Sequence, residues 1–231
     1  MGRRIVIARG GVVNPQETLG LDSLKQSGTL ARMQFKPLLV VVLFGFASGV
    51  FAQPVLKPIF NGKDLTGWAA PKGNDAAGWY KAVDGVLKIQ NGPKKKGSIL
   101  WTQKKYRNFL MEFDFRMGAG RVDSGVHVRN QDQIQIGISG SLGRDMTCSP
   151  YIPGKGYPVE AKNIKQLLKQ KGWNTMRIQA IGKEYTVWLQ GEKVMTYKSA
   201  SAIEEGPLGI QLHGSRDMSI DYRNLKLAEL K

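Results

Sequence analysis

Residues 124–149 read SGVHVRNQDQIQIGISGSLGRDMTCS. Two runs within them alternate strictly. Val126 and Val128 oppose His127 and Arg129, while Ile134, Ile136 and Ile138 oppose Gln133 and Gln135. Successive side chains of a strand project to opposite faces, so each run predicts a strand with one apolar face on a core and one polar face left open. The polar face offers an imidazole, a guanidinium and two amides, where an ordinary solvated sheet carries Lys, Thr and Glu. A long Gly/Ser/Pro-rich loop follows, holding Arg144, Asp145, Cys148 and Tyr151. Hydrogen-bonding groups on an apolar sheet beside a long loop suit a sugar-like ligand. A solvated sheet face with a long connection would give the same pattern.

Working outward, residues 109–117 (FLMEFDFRM) place Phe109, Met111, Phe113, Phe115 and Met117 on one face. An aromatic stripe at period two is core packing. Glu112 and Asp114 lie on the other face. They could sit beside the His127/Arg129 strand, either as ion-pair partners of Arg116 or Arg129 or as catalytic carboxylates. Asp84-Gly85, between 79–81 and 86–89, is a strong hairpin signal. Residues 173–180 and 185–190 form a second hairpin around Gly182-Lys183, and a turn at Gln190-Gly191 leads into 193–197. Residues 209–213 (GIQLH) and 218–227 close the chain as strands, with Gln211 and His213 opposite Ile210 and Leu212. One helix is expected at 161–171, with Ile164, Leu167 and Leu168 on one side and Gly172 past its end. The fold class is therefore all-β, an antiparallel β-sandwich with one short helix, and the chain is long enough for a two-sheet core.

Composition narrows the function classes. The chain has 231 residues and a formal charge of +16. Six of its 34 basic and two of its 18 acidic residues fall in the first 52, leaving 28 against 16, a net +12, for the rest. These charges are spread over loops (94–96, 104–105) and the 162–171 stretch, with no RNA-binding signature or zinc-finger spacing. A basic surface is expected, and no nucleic-acid partner. One cysteine, Cys148, excludes an internal disulfide framework, and two histidines make a His-rich metal centre implausible. No metal or cofactor is expected.

Residues 1–32 are polar and irregular and are expected to form a disordered extension. Residues 33–52 (MQFKPLLVVVLFGFASGVFA) then supply a Lys, an apolar run and a small-x-small ending. That is the pattern of a secretory signal peptide, too short for a spanning helix. Met33 is accordingly read as the true start, Gln53 as the mature N-terminus, and 54–231 as the folded domain. The expected location is periplasmic or extracellular, with no membrane association after cleavage.

Several active-site signals are missing: a glycine-rich phosphate loop, HExxH, CxxC and GxSxG. Glycoside hydrolysis commonly uses two facing carboxylates, and Glu112, Asp114, Asp123, Asp145 and Asp221 are the possible members.

In order along the chain, FNGKDLTGW (60–68), Trp79 with DGVL (84–87), YRNFLMEFDFRM (106–117), SGVHVR (124–129), Trp173-Asn174, Leu189–Gly191, GIQLH (209–213) and Tyr222-Arg223-Asn224 resemble the 3-keto-disaccharide hydrolase domain family. The resemblance covers nearly all of 60–230. It implies a concanavalin-like sandwich, exported and acting on 3-keto-glycosides. Family members usually carry a segment resembling YExQxxD after the SGxxxR strand. Here Asp132, Gln133, Gln135 and Ile138 occupy its marked positions, so Gln135 is kept while the Glu and Asp are replaced. An amide is no general base, and an isoleucine transfers no proton. A 3-keto group acidifies the C2 proton, which allows the glycosidic oxygen to leave by β-elimination before hydration. The resemblance then implies His213 as base, Arg129 as enolate stabiliser and Asp145 as acid, with Gln133, Gln135, His127, Gln211, Arg144 and Tyr151 binding substrate. Equally open at this point, His213 and Arg129 only bind sugar hydroxyls, and the protein is a carbohydrate-binding module that has lost the chemistry. A third reading, a basic adhesive protein for acidic polysaccharide, requires salt-dependent binding.

Overall fold

A computed structural model describes residues 54–129 and 132–231. The expected extension (1–32) and signal segment (33–52) lie outside the described residues. Among the described residues, fourteen strands follow in order: β1 Lys57–Pro58, β2 Trp68–Ala69, β3 Tyr80–Val83, β4 Val86–Gln90, β5 Ser98–Tyr106, β6 Phe109–Gly120, β7 Asp123–Val128, β8 Asp132–Gly137, β9 Pro150–Tyr151, β10 Asn174–Ile181, β11 Glu184–Leu189, β12 Glu192–Lys198, β13 Gly206–Leu212 and β14 Met218–Glu229. They form two antiparallel sheets. One runs β12-β11-β10-β6-β14-β4-β3, with β1 also on β14, and the other runs β2-β5-β13-β7-β8-β9.

Period-two patterning explains how the sheets meet. Phe109, Met111, Phe113 and Phe115 of β6 are fully buried, as are Met176 and Ile178 of β10 and Ile220 of β14. Against them the smaller sheet sets Val126, Val128, Ile134, Ile136, Ile210 and Leu212, each 1% exposed or less. Each such side chain contributes about 1.5–3 kcal/mol by leaving water. Tyrosines from the larger sheet also cross the core. The Tyr80 hydroxyl donates to the Ile210 carbonyl at 3.2 Å, and the Tyr222 and Ser124 hydroxyls lie 3.1 Å apart. Burial pushes the pKa of both phenols far up.

Turn chemistry behaves as its residues dictate. Val83 pairs with Val86 across Asp84 and Gly85, whose φ values of 51° and 78° suit the twist of a two-residue hairpin. In the 60–68 motif, Asn61 Oδ1 accepts from the amides of Lys63 and Asp64, and Asp64 Oδ1 accepts from Thr66. The Trp68 indole N–H then donates to the Ile59 carbonyl at 2.9 Å and locks the entry.

Two expectations change. The helix over 161–171 is a single turn, α2, Ile164–Leu167, between a left-handed Asn163 and an extended Leu168. Continuation is lost to tertiary bonds: the buried Asn174 side chain accepts from Lys169 N at 2.8 Å and donates to Lys169 O at 2.9 Å. Another turn, α1 at Asn74–Ala77, was not anticipated. Glu112 and Asp114 do not neighbour the His127 strand, because β6 and β7 belong to different sheets. Both carboxylates lie on the outer face of the larger sheet. Glu112 pairs with Arg177 at 2.6 Å, and Asp114 accepts from Thr175 at 2.7 Å, Asn224 at 2.8 Å and Arg223 at 3.1 Å.

Candidate functional site

On the outer face of the smaller sheet, Gln211, Gly125 and Gln135 stand in register on β13, β7 and β8. Gly125 is a packing requirement. A Cβ there would meet Gln133 Nε2 at 2.2 Å and the Ile134 carbonyl at 2.6 Å, so the missing side chain is what lets the glutamines lie over the strand. They floor a cavity of about 430 Å³. Ser139 comes from the loop after β8, Tyr151 from β9 and Tyr157 from the segment after it, while the β13–β14 connection contributes His213 and Arg216. Asp123, the first residue of β7, closes the base and is the one carboxylate among the lining residues.

The donor and acceptor directions in this cavity form a chain that starts at Asp123. A carboxylate only accepts, so Gln135 turns its amide NH₂ toward Asp123 Oδ1 at 2.9 Å. Its carbonyl oxygen is then left to accept from Gln133 Nε2 at 3.2 Å, and that Nε2 shares its two protons among this oxygen, Gln211 Oε1 at 3.0 Å and the Ser124 carbonyl at 3.2 Å. One buried charge therefore orients three neutral amides.

The other Asp123 oxygen, Oδ2, is buried with no hydrogen-bond partner. It lies 3.5 Å from Arg216 Nε and 3.9 Å from His213 Nε2. His213 Nδ1 lies 2.7 Å from the Gly214 carbonyl, which can only accept. Nδ1 therefore carries the proton, and in the neutral ring Nε2 presents its lone pair to the cavity. Arg216 reaches its place over Gly140, where a Cβ would come within 2.2 Å of Nη2. Tyr157 packs edge-on against Tyr151 at 5.3 Å, and burial raises the pKa of its phenol. The cavity thus holds an imidazole, a guanidinium, a buried carboxylate, two phenols and oriented amides. Among the described residues, no group of three or more His, Cys, Asp or Glu side chains is placed to hold a metal ion.

Of the residues singled out from sequence, Gln133, Gln135, Gln211, His213 and Tyr151 line this cavity. His127 stands next to it, opposite Gln133, with its ring 5.3 Å from that of Trp101. Three others are elsewhere. Arg129 follows the end of β7 with φ 58°, which breaks the alternation and turns its side chain inward. It is fully buried, donates through Nη1 to the carbonyls of Gly182 at 2.7 Å and Ile203 at 2.9 Å, and has its pKa lowered by that burial. Asp145 uses its carboxylate on the backbone, where Oδ1 accepts from Thr147 N at 2.8 Å. Arg144 is exposed and forms a two-pronged ion pair with Glu160. Ile138, at the position where a family aspartate was expected, pairs with Asp145 in an isolated bridge outside the cavity.

Arg216 and Tyr157 were missed, and Asp123 was only one of five carboxylates considered. Period two carries a signal for Asp123, which shares a face with Gly125 and His127. Arg216 and Tyr157 lie in irregular segments without a period. A larger groove of about 650 Å³ is lined by Lys57, Tyr106 and their neighbours, but its Lys104 and Glu229 already pair with each other.

These features define the class as a two-sheet antiparallel β-sandwich with an amide-floored polar cavity, lined in part by His213, on one outer face. The chain belongs to the 3-keto-alpha-glucoside-1,2-lyase-like domain family, whose model matches residues 56–228. A crystal structure of a proposed glycosyl hydrolase from Parabacteroides distasonis is 25% identical, with a TM-score of 0.58 over 76% of this chain and all of that one. A second proposed glycosyl hydrolase from the same organism is 21% identical, with a TM-score of 0.58 over 76% and 94%. No curated protein matches.

Proposed function

We propose that the chain cleaves 3-keto-glycosides by elimination at the cavity formed by His213, Arg216 and Asp123. The observation that carries this reading is the His213 ring, held by Nδ1–H on the Gly214 carbonyl so that Nε2 faces the cavity beside a guanidinium. In the proposed step Nε2 takes the C2 proton of the 3-keto sugar. The C2–H electron pair forms the C1–C2 double bond as the C1–O bond breaks, with charge developing on the 3-keto oxygen. Arg216 supplies fixed positive charge for that oxygen. Asp123 supplies the negative charge that favours His213 once it has become imidazolium. Tyr157, kept protonated by its raised pKa, donates to a hydroxyl of the 3-keto ring, and the departing glycosidic oxygen takes its proton from solvent water. Water then adds across the double bond. The leader-like residues 33–52 support export as the setting.

One observation favours a binding module instead. Asp123 is the single carboxylate lining the cavity, so hydrolysis by two facing carboxylates has no second member there. Incubation of the protein from Gln53 onward with 3-keto-glucosides bearing a chromogenic leaving group separates the two. Release that falls by roughly 10²–10⁴-fold in His213→Ala supports the lyase. Saturable binding without release supports the module.

A further inference from the structure

Trp101, on β5, lies in register with Gly209 of β13, which lies in register with His127 of β7 and, through it, with Gln133 of β8. Gly209 has no side chain to keep these residues apart. A Cβ there would meet the indole at 2.5 Å (Cζ3) and 2.6 Å (Cε3), so the ring lies down across the strand. The imidazole of His127 sits beyond it, ring centroids 5.3 Å apart and tilted by 49°. On the opposite side Trp101 pairs with Ala69, a small and exposed residue that leaves the indole open to solvent on that flank. The result is a half-buried aromatic plane laid on backbone and continuous, strand by strand, with the amide floor of the cavity. Three strand spacings, about 14 Å, separate Trp101 from Gln133, which is longer than one pyranose ring.

We propose that Trp101 is a specificity-determining platform for the leaving group, resting on the lyase reading for the position of the 3-keto ring. With that ring over the amides and His213, the group beyond the scissile bond extends across His127 to Trp101. The platform accepts leaving groups that present a flat apolar face, such as the C–H face of a second pyranose, because the indole offers area and a π-face without a hydrogen-bond pattern of its own. A small alkyl leaving group cannot reach it.

The test compares two ligands that share the 3-keto-glucosyl unit, the methyl glycoside and a disaccharide. Their binding is measured by calorimetry on a His213→Ala background so that neither is turned over. The disaccharide is expected to bind roughly tenfold more tightly. Trp101→Leu should bring the two affinities together, while Trp101→Phe, which retains a ring face, should keep most of the difference. Gly209→Ala, which displaces the indole without removing it, should act like Trp101→Leu. Thermal melts identify any variant that fails to fold, and the inference is then read from the others. A tenfold preference that survives in folded Trp101→Leu overturns the platform and leaves the lyase reading intact. Equal affinity for the two ligands before any change at Trp101 does the same. Binding of neither ligand overturns the sugar reading and the platform together.

Discussion

Gln135 donates its side-chain amide to Asp123 at 2.9 Å, and this bond sets the polarity of the cavity floor. Without a carboxylate at its end, the chain of amides from Gln135 through Gln133 to Gln211 could run in either direction. Asp123→Asn is nearly isosteric and tests this relationship. The variant is expected to melt close to the parent while its affinity for 3-keto-glycosides falls by roughly tenfold or more, since each amide can then point the wrong way. Calorimetric binding beside a thermal melt checks both halves.

Gly125 should tolerate no side chain. Its Cβ would fall 2.6 Å from the Ile134 carbonyl, a backbone atom that cannot step aside. Gly125→Ala is expected to cost about 1–3 kcal/mol, measured by denaturant unfolding, and to weaken ligand binding by displacing Gln133.

Arg129 is expected to behave as a structural residue. Arg129→Met removes both Nη1 bonds and leaves the Gly182 and Ile203 carbonyls without that donor. A loss of about 1–3 kcal/mol in stability is expected, with ligand affinity retained in the protein that remains folded. Loss of affinity at full stability would return Arg129 to the binding site.

Asp114 gives the pH dependence. Burial works to raise its pKa, but bonds from Thr175, Asn224 and Arg223 outweigh it, and the net shift is downward. The unfolded chain then binds this proton more readily than the folded one. The contribution is therefore complete above the ordinary aspartate range near pH 3.9 and is lost as pH falls through the lower folded value. Melting temperatures from pH 6 down to pH 2 should fall more steeply in the parent than in Asp114→Asn, which begins lower and lacks this acid-sensitive step.

Much of the family signature proves to be fold chemistry. The 60–68 motif is a chain of side-chain-capped turns, and Asn174 braces the segment after α2. Trp173 lies between Arg116 and Arg223, whose guanidinium carbons are 4.6 Å and 4.1 Å from its ring centre. Asp114 ties Arg223 and Asn224 to the outer face of the larger sheet. These motifs could reveal the sandwich from sequence but say little about its cavity.

What the amino-acid sequence determined by itself is the set of strands, their inward faces and their tight hairpins. Period-two alternation and Asp-Gly turns act over a few residues, and Phe109 to Phe115 or Val126 to Ile136 need no distant partner to declare a buried face. The same alternation put Gln133 and Gln135 on the open side. Tertiary structure decided which polar groups meet. A single left-handed residue at the end of β7 sent Arg129 into the interior, and the placement of two irregular connections brought Arg216 and Tyr157 to Asp123 and His213. Convergence of that kind depends on strand order and on where loops return, and neither is written in local periodicity.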